Sequence, residues 1–292
     1  MCWLKVELEC SKSEALLVEE VLFAHGASSI NFTRVSGSEF YEPDSNHLEL
    51  WDSILVSSIF PKDTPKNEIL AALKFSNVSS ITFSSLKNIN WLESFMDSNK
   101  ARRFGKDLWI VPSWDQNFNS SNGIIVNLDL GMAFGSGSHE TTSMCLEHLE
   151  RNKPTGKVVI DYGCGTGILA ISALKLGAEF AYCIDKEKEA LDVTRKNAKK
   201  NGVVDKIQLY DNTFDMENIA DIVIANIYSS VLIKLQNKIS LMLKSNGVAI
   251  LSGILEEQLD IILSKFSRDF KTLGIKKKNK WIMLHLEKYN QE

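Results

Sequence analysis

The order of apolar and polar residues at the start of the chain predicts a small domain that combines strands and helices. Residues 4–10 alternate in the period of a half-buried strand, and residues 13–24 carry apolar side chains at helical spacing. Gly26 follows that helix, where a terminating glycine is common. Further strand patterns occupy residues 30–35, 48–51 with 54–59, and 80–83, and residues 67–75 are helical. This β-α-β-β-α-β order predicts a ferredoxin-like α+β domain over residues 1–87.

From Gly123 onward the pattern changes to strand and helix segments in regular alternation. Such alternation is typical of a parallel, doubly wound sheet. The predicted strands are 124–130, 158–161, 180–185, 207–210, 222–225, 247–251, 270–275 and 281–286. The predicted helices are 140–151, 229–243, 255–266 and two that end at Leu176 and Asn201. We predict an α/β domain over residues 123–292, and a connector over residues 88–122 whose aromatic side chains pack on one or both domains.

Length, composition and charge restrict the class of protein. A chain of 292 residues is longer than one average domain needs, and 44% hydrophobic and 24% charged residues are ordinary for a globular protein. The net charge of −4 gives no electrostatic reason to expect nucleic-acid binding. The start lacks the features of a signal peptide, and no apolar run reaches the roughly eighteen residues of a membrane span. The five scattered cysteines predict buried thiols in a reducing compartment, so we expect a cytoplasmic protein without a metal site.

The segment from Asp161 to Gly167, Asp-Tyr-Gly-Cys-Gly-Thr-Gly, carries the first chemical signal. Glycines between a strand and a helix let the backbone approach a ligand closely, because no Cβ intervenes. Ile168 stands where the dinucleotide fingerprint needs its third glycine, which disfavours an NAD-dependent oxidoreductase, the first alternative function. The spacing G-x-G-x-G after an acid resembles motif I of the class I S-adenosylmethionine (SAM) methyltransferases, which implies a seven-stranded, doubly wound, Rossmann-like domain that ends in a hairpin.

Asp185 ends the predicted strand 180–185, and Asn226 directly follows the predicted strand 222–225. An acid in the position of Asp185 can accept hydrogen bonds from two ribose hydroxyls, although a helix N-cap is the other interpretation. Asn226 is expected at the same rim and can accept a hydrogen bond from a donor nitrogen, or it can cap a helix. The following Ile227 and Tyr228 differ from the Asn-Pro-Pro-aromatic motif of enzymes that methylate planar nitrogens, so an aliphatic amine is favoured.

The segment from Asp129 to Thr142 joins glycines, hydroxyl side chains and a histidine ahead of a predicted helix. It suits a loop that grips a ligand, and equally a plain capped loop with Ser138, Thr141 or Thr142 as the cap. With the other motifs it strongly resembles the bacterial methyltransferases of large-subunit ribosomal protein eleven. The resemblance is carried by residues 131–139 with Thr141-Thr142, 161–170, Asp185, Asn197 with Asn201-Gly202, 225–227, 251–255, Trp91 and 110–114. The N-terminal domain matches that family only in predicted fold and size.

The chain departs from the family pattern within this loop. The family usually has proline at the positions of Leu130 and Glu140, and threonine at those of Ser136 and Ser138. The serines keep the hydroxyl groups. Losing two prolines is expected to leave the loop less preorganised.

The resemblance implies an N-methyltransferase that uses SAM, releases S-adenosylhomocysteine and methylates lysine side-chain and N-terminal amines of that ribosomal protein. The N-terminal domain would then grip the protein substrate. The cofactor-binding residues are predicted to be Thr142, Gly163, Asp185, Asn226, Asp161, Gly165, Phe134 and Gly135. Asn226 is also predicted to orient the amine nitrogen, as the catalytic residue. No metal, membrane or direct nucleic-acid contact is expected, and a monomer suffices.

Other residues receive structural interpretations. For His139, a structural role in which it bonds the backbone is predicted at least as strongly as a role in the site. Cys164 is predicted to be a small packing residue and not a nucleophile. Trp114 and Phe134 either wall the pocket or pack in the core. The lysine-rich run 276–280 is predicted to be a solvated hairpin turn. Two further alternatives remain: a non-catalytic module that binds cofactor or ribosome, and a methyltransferase of another protein lysine or a small amine.

Overall fold

A computed structural model describes residues 3–34, 52–86, 100–115, 118, 120, 123–129 and 137–290. The chain divides into two compact units, Met1–Asp97 and Ser98–Glu292. The predicted strand at residues 48–51 and the Trp91 region of the connector lie outside the described residues.

The N-terminal unit is a four-stranded antiparallel sheet with helices. Its elements are β1 (Trp3–Ser11), α1 (Ala15–Ala24), β2 (Ser29–Arg34), β3 (Ser53–Pro61), α2 (Lys66–Ala72) with a 3-10 turn (Leu73–Phe75), and β4 (Ser79–Leu86). The strand order is β2-β3-β1-β4. Alternate side chains of β1, among them Val6 and Leu8, are buried together with Val18 and Leu22 of α1. The period-two and helical patterns in the sequence therefore face one common core.

The second unit begins with a three-stranded sheet of β5 (Arg102–Phe104), β6 (Leu108–Pro112) and β7 (Ile124–Leu128). β5 and β6 form an antiparallel hairpin, and β7 lies parallel to β6. β7, the first strand of the alternating region, thus pairs with a strand of the predicted connector and lies outside the central sheet. The apolar pattern of residues 124–130 identifies a strand, but it contains no information about the strand's partner.

A seven-stranded sheet forms the centre of this unit. Its strands are β8 (Val158–Tyr162), β9 (Phe180–Ile184), β10 (Ile207–Tyr210), β11 (Ala220–Asn226), β12 (Leu243–Leu255), β13 (Phe270–Lys278) and β14 (Trp281–Lys288). The helices are α3 (Glu140–Arg151), α4 (Ile168–Lys175), α5 (Lys188–Lys200), α6 (Ser229–Met242) and α7 (Leu259–Phe266), with 3-10 turns at Val204–Lys206 and Glu256–Gln258. The order is β10-β9-β8-β11-β12-β14-β13, parallel from β10 to β12 and antiparallel around β14.

This order changes direction between β8 and β11, which are neighbours in the sheet. From β8 the chain first adds β9 and β10 on one side, and it then crosses back to add β11 and β12 on the other. Open α/β sheets bind ligands outside the carboxyl ends of the strands at such a switch point. The fold thereby directs attention to the residues that follow β8, β9 and β11.

The lysine-rich run is largely exposed, as predicted, but only its end forms a turn. β13 extends to Lys278, so only Asn279 and Lys280 form the turn. Lys276 is paired with the Glu147 carboxylate, Lys277 with Glu256, and Lys278 Nζ donates to Ser143 Oγ at 2.8 Å. A charge run indicates solvent exposure on average, and here acids on α3 and after β12 supply partners that only the tertiary fold provides.

Candidate active site

The carboxyl ends of β8, β9 and β11 bring the predicted glycine loop next to Asp185. Gly163 N–H donates to the carbonyl of Ile184 at 2.7 Å, and Gly165 N–H donates to Asp185 Oδ2 at 2.9 Å. The second oxygen, Asp185 Oδ1, accepts from the N–H of Glu187 at 3.0 Å. α5 starts at Lys188 with Glu187 in the N-cap position, so Asp185 does not cap that helix. Its carboxylate instead ties the glycine loop to the end of β9.

Two positions of the loop require glycine for two reasons, a positive φ and a lack of space for a Cβ. Gly163 and Gly167 each have φ of 78°, in the left-handed region. A Cβ on Gly163 would lie 2.4 Å from Cγ2 of Ile227, and one on Gly167 would lie 2.8 Å from Cγ2 of Thr194. The backbone therefore approaches its neighbours more closely than any side chain would allow.

Asp161 is a buried carboxyl group beneath the glycine loop, with 1% of its surface exposed. Its Oδ2 accepts from the N–H of Ala170 at 3.0 Å, whereas Oδ1 has no hydrogen-bond partner among the described residues. Burial raises the pKa of Asp161 to about 7, the Ala170 hydrogen bond opposes this rise, and the Asp185 charge adds to it. A buried acceptor without a partner is costly unless something bonds it, and a cation beside it would favour its ionised form.

Thr142 and Asn226 meet where the first turn of α3 reaches the end of β11. Asn226 Nδ2 donates to Thr142 Oγ1 at 3.0 Å, and Thr142 is almost completely buried. This bond fixes the orientation of the amide: Nδ2 faces Thr142, and the side-chain oxygen is the end that can accept a hydrogen bond. Asn226 does not cap α6, whose N-cap residue is Tyr228. The helix-cap interpretation is thus wrong for both Asp185 and Asn226.

His139 is the N-cap of α3, in place of the serine and threonines that the sequence offered. Its Nδ1 lies 2.7 Å from Thr141 Oγ1 and accepts from the Thr141 N–H at 3.4 Å. Its ring also meets the Trp281 ring edge-on, with centroids 4.9 Å apart. These contacts give the histidine a structural role at the start of the helix that carries Thr142.

The remaining predicted residues divide into described and undescribed ones. Phe134 and Gly135, like Leu130 and Ser136, lie outside the described residues, and Trp114 is half-buried after β6. Cys164 is buried with its sulfur 3.6 Å from Thr194 Oγ1.

Among the described residues, no cluster of three or more histidines, cysteines or acids is arranged to hold a metal ion. In the same part of the chain, every helix is too short or too polar to cross a bilayer.

Sequence reasoning missed the contacts that α5 makes with the glycine loop. Thr194 Oγ1 donates to the carbonyl of Gly165 at 2.9 Å, and Asn197 Nδ2 donates to that of Thr166 at 2.9 Å. Asn197 belonged to the family resemblance without a role, and Thr194 was not singled out. A signal does exist, because both polar residues lie on the helix face that also buries Ala190 and Ala198.

Comparisons with known proteins agree with this arrangement. A family model described as ribosomal protein L11 methyltransferase (PrmA) matches residues 2–289. A protein of that name from Alteromonas mediterranea is 37% identical over 273 residues, covering 92% of this chain and 93% of its own. One from Escherichia coli is 37% identical over 288 residues, covering 96% of this chain and 97% of its own.

A solved structure of ribosomal protein L11 methylase from Lactobacillus delbrueckii subsp. bulgaricus is also similar. It is 29% identical, covers 65% of this chain and 100% of its own, and superposes with a TM-score of 0.58. This similarity confirms the predicted α/β fold with a central, mostly parallel sheet. The match over nearly the whole sequence likewise confirms the resemblance drawn from the motifs. The chain belongs to the ribosomal protein L11 methyltransferase family.

Proposed function

We propose that this protein transfers methyl groups from SAM to lysine side-chain and N-terminal amines of ribosomal protein L11. The observation that carries the proposal is the Asp185 carboxylate bound to the N–H of Gly165 at the switch point of the sheet. This contact joins the two features that a SAM site requires. One is a loop whose backbone can approach the cofactor closely, and the other is a carboxylate that can accept hydrogen bonds from the ribose hydroxyls. Membership of the family supplies the substrate.

The residues present fit this cofactor. A carboxylate offers about four lone-pair positions, and Asp185 uses one on each oxygen for backbone N–H groups, which leaves capacity for two ribose hydroxyls. Gly163 and Gly165 would line the cofactor with backbone atoms alone. The buried Oδ1 of Asp161 is an acceptor suited to a cationic ligand. Phe134 and Gly135, from the segment that precedes α3 in the sequence, complete the proposed set.

In the proposed reaction the bound cofactor supplies an electrophilic methyl group on a sulfonium. The amine nitrogen forms a bond to that carbon as the carbon–sulfur bond breaks, and the nitrogen loses one proton to solvent. Asn226, held by Thr142, would accept a hydrogen bond from the amine and align its lone pair. Lysine has a pKa of about 10.4, and desolvation beside a positive charge lowers it toward the neutral, reactive form.

The finer organisation belongs to the same proposal. The sheet order and the terminal β13–β14 hairpin support a class I methyltransferase domain over residues 123–292, to which residues 98–122 add β5 and β6. We assign substrate recognition to a ferredoxin-like domain over residues 1–87, and a connecting role to residues 88–122. The enzyme would act as a monomer in the cytoplasm, without a metal and without direct nucleic-acid contact.

Mass spectrometry of purified ribosomal protein L11, after incubation with this enzyme and SAM, tests the proposal. We expect mass gains in steps of one methyl group on amines, lost in Asp185→Asn and retained in Asp205→Asn, an equivalent change at an exposed site. SAM binding is measured separately by calorimetry. Binding without methylation of L11 would overturn the substrate and favour another protein lysine or a small amine. Absence of SAM binding would overturn the cofactor assignment.

A further inference from the structure

One face of α5 holds two segments that are far apart in sequence. Asn197, which has no exposed surface, uses its side-chain amide for both of them. Its Nδ2 donates to the carbonyl of Thr166 at 2.9 Å and to that of Asp129 at 3.2 Å. Its Oδ1 accepts from the N–H of Asp129 at 2.8 Å. A single buried amide group thus links the glycine loop to the residue that follows β7.

Asn201, one turn further along α5, makes the same kind of contact with β7, and its Nδ2 also donates to the carbonyl of Asn197 at 2.8 Å. Its Oδ1 accepts from the N–H of Asn127 at 2.8 Å, and its Nδ2 donates to the carbonyl of Asn127 at 2.7 Å. The two asparagines therefore bond alternate residues of the extended segment, as a neighbouring strand would do. Only Asn197 also reaches the glycine loop, and this difference separates the roles of the two residues.

Asp129 is restrained through its side chain as well. Lys200 Nζ lies 2.6 Å from Asp129 Oδ2, and Ser113 Oγ is hydrogen-bonded to the other carboxylate oxygen. On the loop side, Thr194 Oγ1 bonds the carbonyl of Gly165, one residue before the carbonyl that Asn197 bonds. Both ends of the link are therefore held by more than one contact. Changing the Asn197 amide would leave Asp129 held by Lys200 and Ser113, whereas the loop would keep only Thr194 of the two α5 side chains that bond its carbonyls.

We propose that Asn197 is a positioning residue for the cofactor, which it does not touch. Through the Thr166 carbonyl it holds the loop between Gly165 and Gly167 in the conformation that presents the Gly165 N–H to Asp185. The inference rests on the proposed function, because it takes the glycine loop as the SAM site. It assigns to Asn197 a share of cofactor affinity that Asn201 lacks.

The test compares Asn197→Asp with Asn201→Asp. Each substitution keeps the side-chain shape, keeps the acceptor for a β7-side N–H, and replaces the Nδ2 donor by an oxygen. Only the first places that oxygen against a carbonyl of the glycine loop. Asn197→Asp removes two hydrogen bonds from Nδ2, and only the one to the Thr166 carbonyl acts on the glycine loop. Losing that buried hydrogen bond and leaving its carbonyl without a partner corresponds to about a tenfold change in an equilibrium constant.

We expect Asn197→Asp to raise the KM for SAM and the Kd for S-adenosylhomocysteine about tenfold, with the KM for protein substrate within about twofold of wild type. Asn201→Asp should lower the melting temperature about as much as Asn197→Asp does. It should leave the KM for SAM within about twofold of the wild-type value. A merely structural role would change stability in both variants and would not produce this split. Equal effects of the two variants on SAM, or no effect of either, would overturn the inference.

A second pair of variants decides the question if Asn197→Asp does not fold. Thr194→Val removes the hydroxyl that bonds the Gly165 carbonyl at nearly constant volume, and Thr194→Ser restores it. The valine variant should weaken SAM binding and the serine variant should recover it, whereas two variants with wild-type SAM affinity would contradict positioning by this face of α5. A wild-type protein that does not bind SAM would instead contradict the proposed function.

Discussion

At the scale of single residues, Gly163 and Gly202 both have a positive φ but differ in the space that their neighbours leave. Gly163 and Gly202 have similar dihedrals, with φ of 78° and 67°. A Cβ on Gly202 would meet nothing within 4 Å, whereas one on Gly163 would collide with Ile227. The backbone cost of an alanine is common to both positions, and of the two only Gly163 adds a steric cost.

We therefore expect Gly163→Ala to destabilise the protein more than Gly202→Ala and to weaken SAM binding at least about tenfold. Gly202→Ala should cost about 1–2 kcal/mol of unfolding free energy, the cost of a left-handed alanine, without a change in SAM affinity. Urea unfolding and calorimetric titration with SAM measure the two quantities. Equal SAM affinities in the two variants would show that the approach of Ile227 to Gly163 does not shape the site.

Asp161 predicts a dependence of stability on pH whose sign follows from its environment. Its pKa is about 7 in the folded protein and is ordinarily 3.8, so folding favours the protonated form. The folded state binds more protons than the unfolded state between these two values, and wild-type stability is lost as pH rises through them. The variant Asp161→Asn carries an uncharged amide at this position, and that amide does not titrate.

The unfolding free energy of wild type should thus fall, relative to that of Asp161→Asn, between about pH 5 and about pH 8. Urea titrations of both proteins at the two pH values, without cofactor, measure this difference. A constant difference across the range would contradict a carboxyl group with a raised pKa at this position. A growing advantage of the wild type would require an unrecognised cation beside Asp161.

At the scale of elements, Glu150 attaches the β5–β6 hairpin to α3. The Glu150 side chain is 8% exposed, and its Oε1 accepts from the N–H groups of Lys106 and Asp107 at 3.0 Å and 3.2 Å. Gly105 in the same turn has no room for a side chain, because a Cβ would lie 1.9 Å from Glu150 Oε2. The carboxylate thus closes the turn from outside the hairpin.

Glu150→Ala is expected to lower the unfolding free energy by about 2–3 kcal/mol, because two backbone N–H groups lose a charged acceptor. Glu150→Gln should lose less, since its amide oxygen can still accept from the turn. Urea unfolding of the three proteins checks this order. A glutamine variant as unstable as the alanine variant would show that the charge, rather than the acceptor, stabilises the turn. An alanine variant as stable as wild type would contradict the attachment itself.

At the scale of the whole molecule, β7 decides where the C-terminal unit begins. Because β7 pairs with β6, a fragment that starts at residue 123 lacks the partner of this strand, whereas residues 98–292 retain it. We expect residues 98–292 to bind SAM within about twofold of the full chain and residues 123–292 to melt at a lower temperature. Calorimetric titration with SAM measures the affinity of each fragment, and thermal unfolding measures its melting temperature.

The longer fragment also tests the role assigned to the N-terminal unit. Residues 98–292 should bind SAM and yet methylate ribosomal protein L11 poorly, with the loss appearing in the KM for the protein substrate. Mixing in residues 1–97 as a separate chain serves as the control for non-covalent rescue. A fragment that methylates L11 as efficiently as the full chain would contradict substrate recognition by the N-terminal unit.

The sequence by itself determined the features that depend on local pattern. Strand and helix periods located most elements to within a few residues, for example α3 at its predicted bounds of residues 140–151 and α6 at Ser229–Met242. The alternating glycines after Asp161 and the acid that ends β9 indicated the cofactor class, and the motifs together indicated the family. These signals are carried by neighbouring residues and by the turn geometry that they permit.

Only the tertiary structure decided which groups meet. It paired β7 with β6, gave His139 the cap of α3, bound Asp185 to Gly165, and supplied acids to the lysines of β13. It also joined Asp129 to Thr166 through Asn197. Each of these contacts except the cap of α3 links segments well separated along the chain, and a local period carries no information about such partners. Burial and hydrogen-bond satisfaction select them only when the sheet has formed.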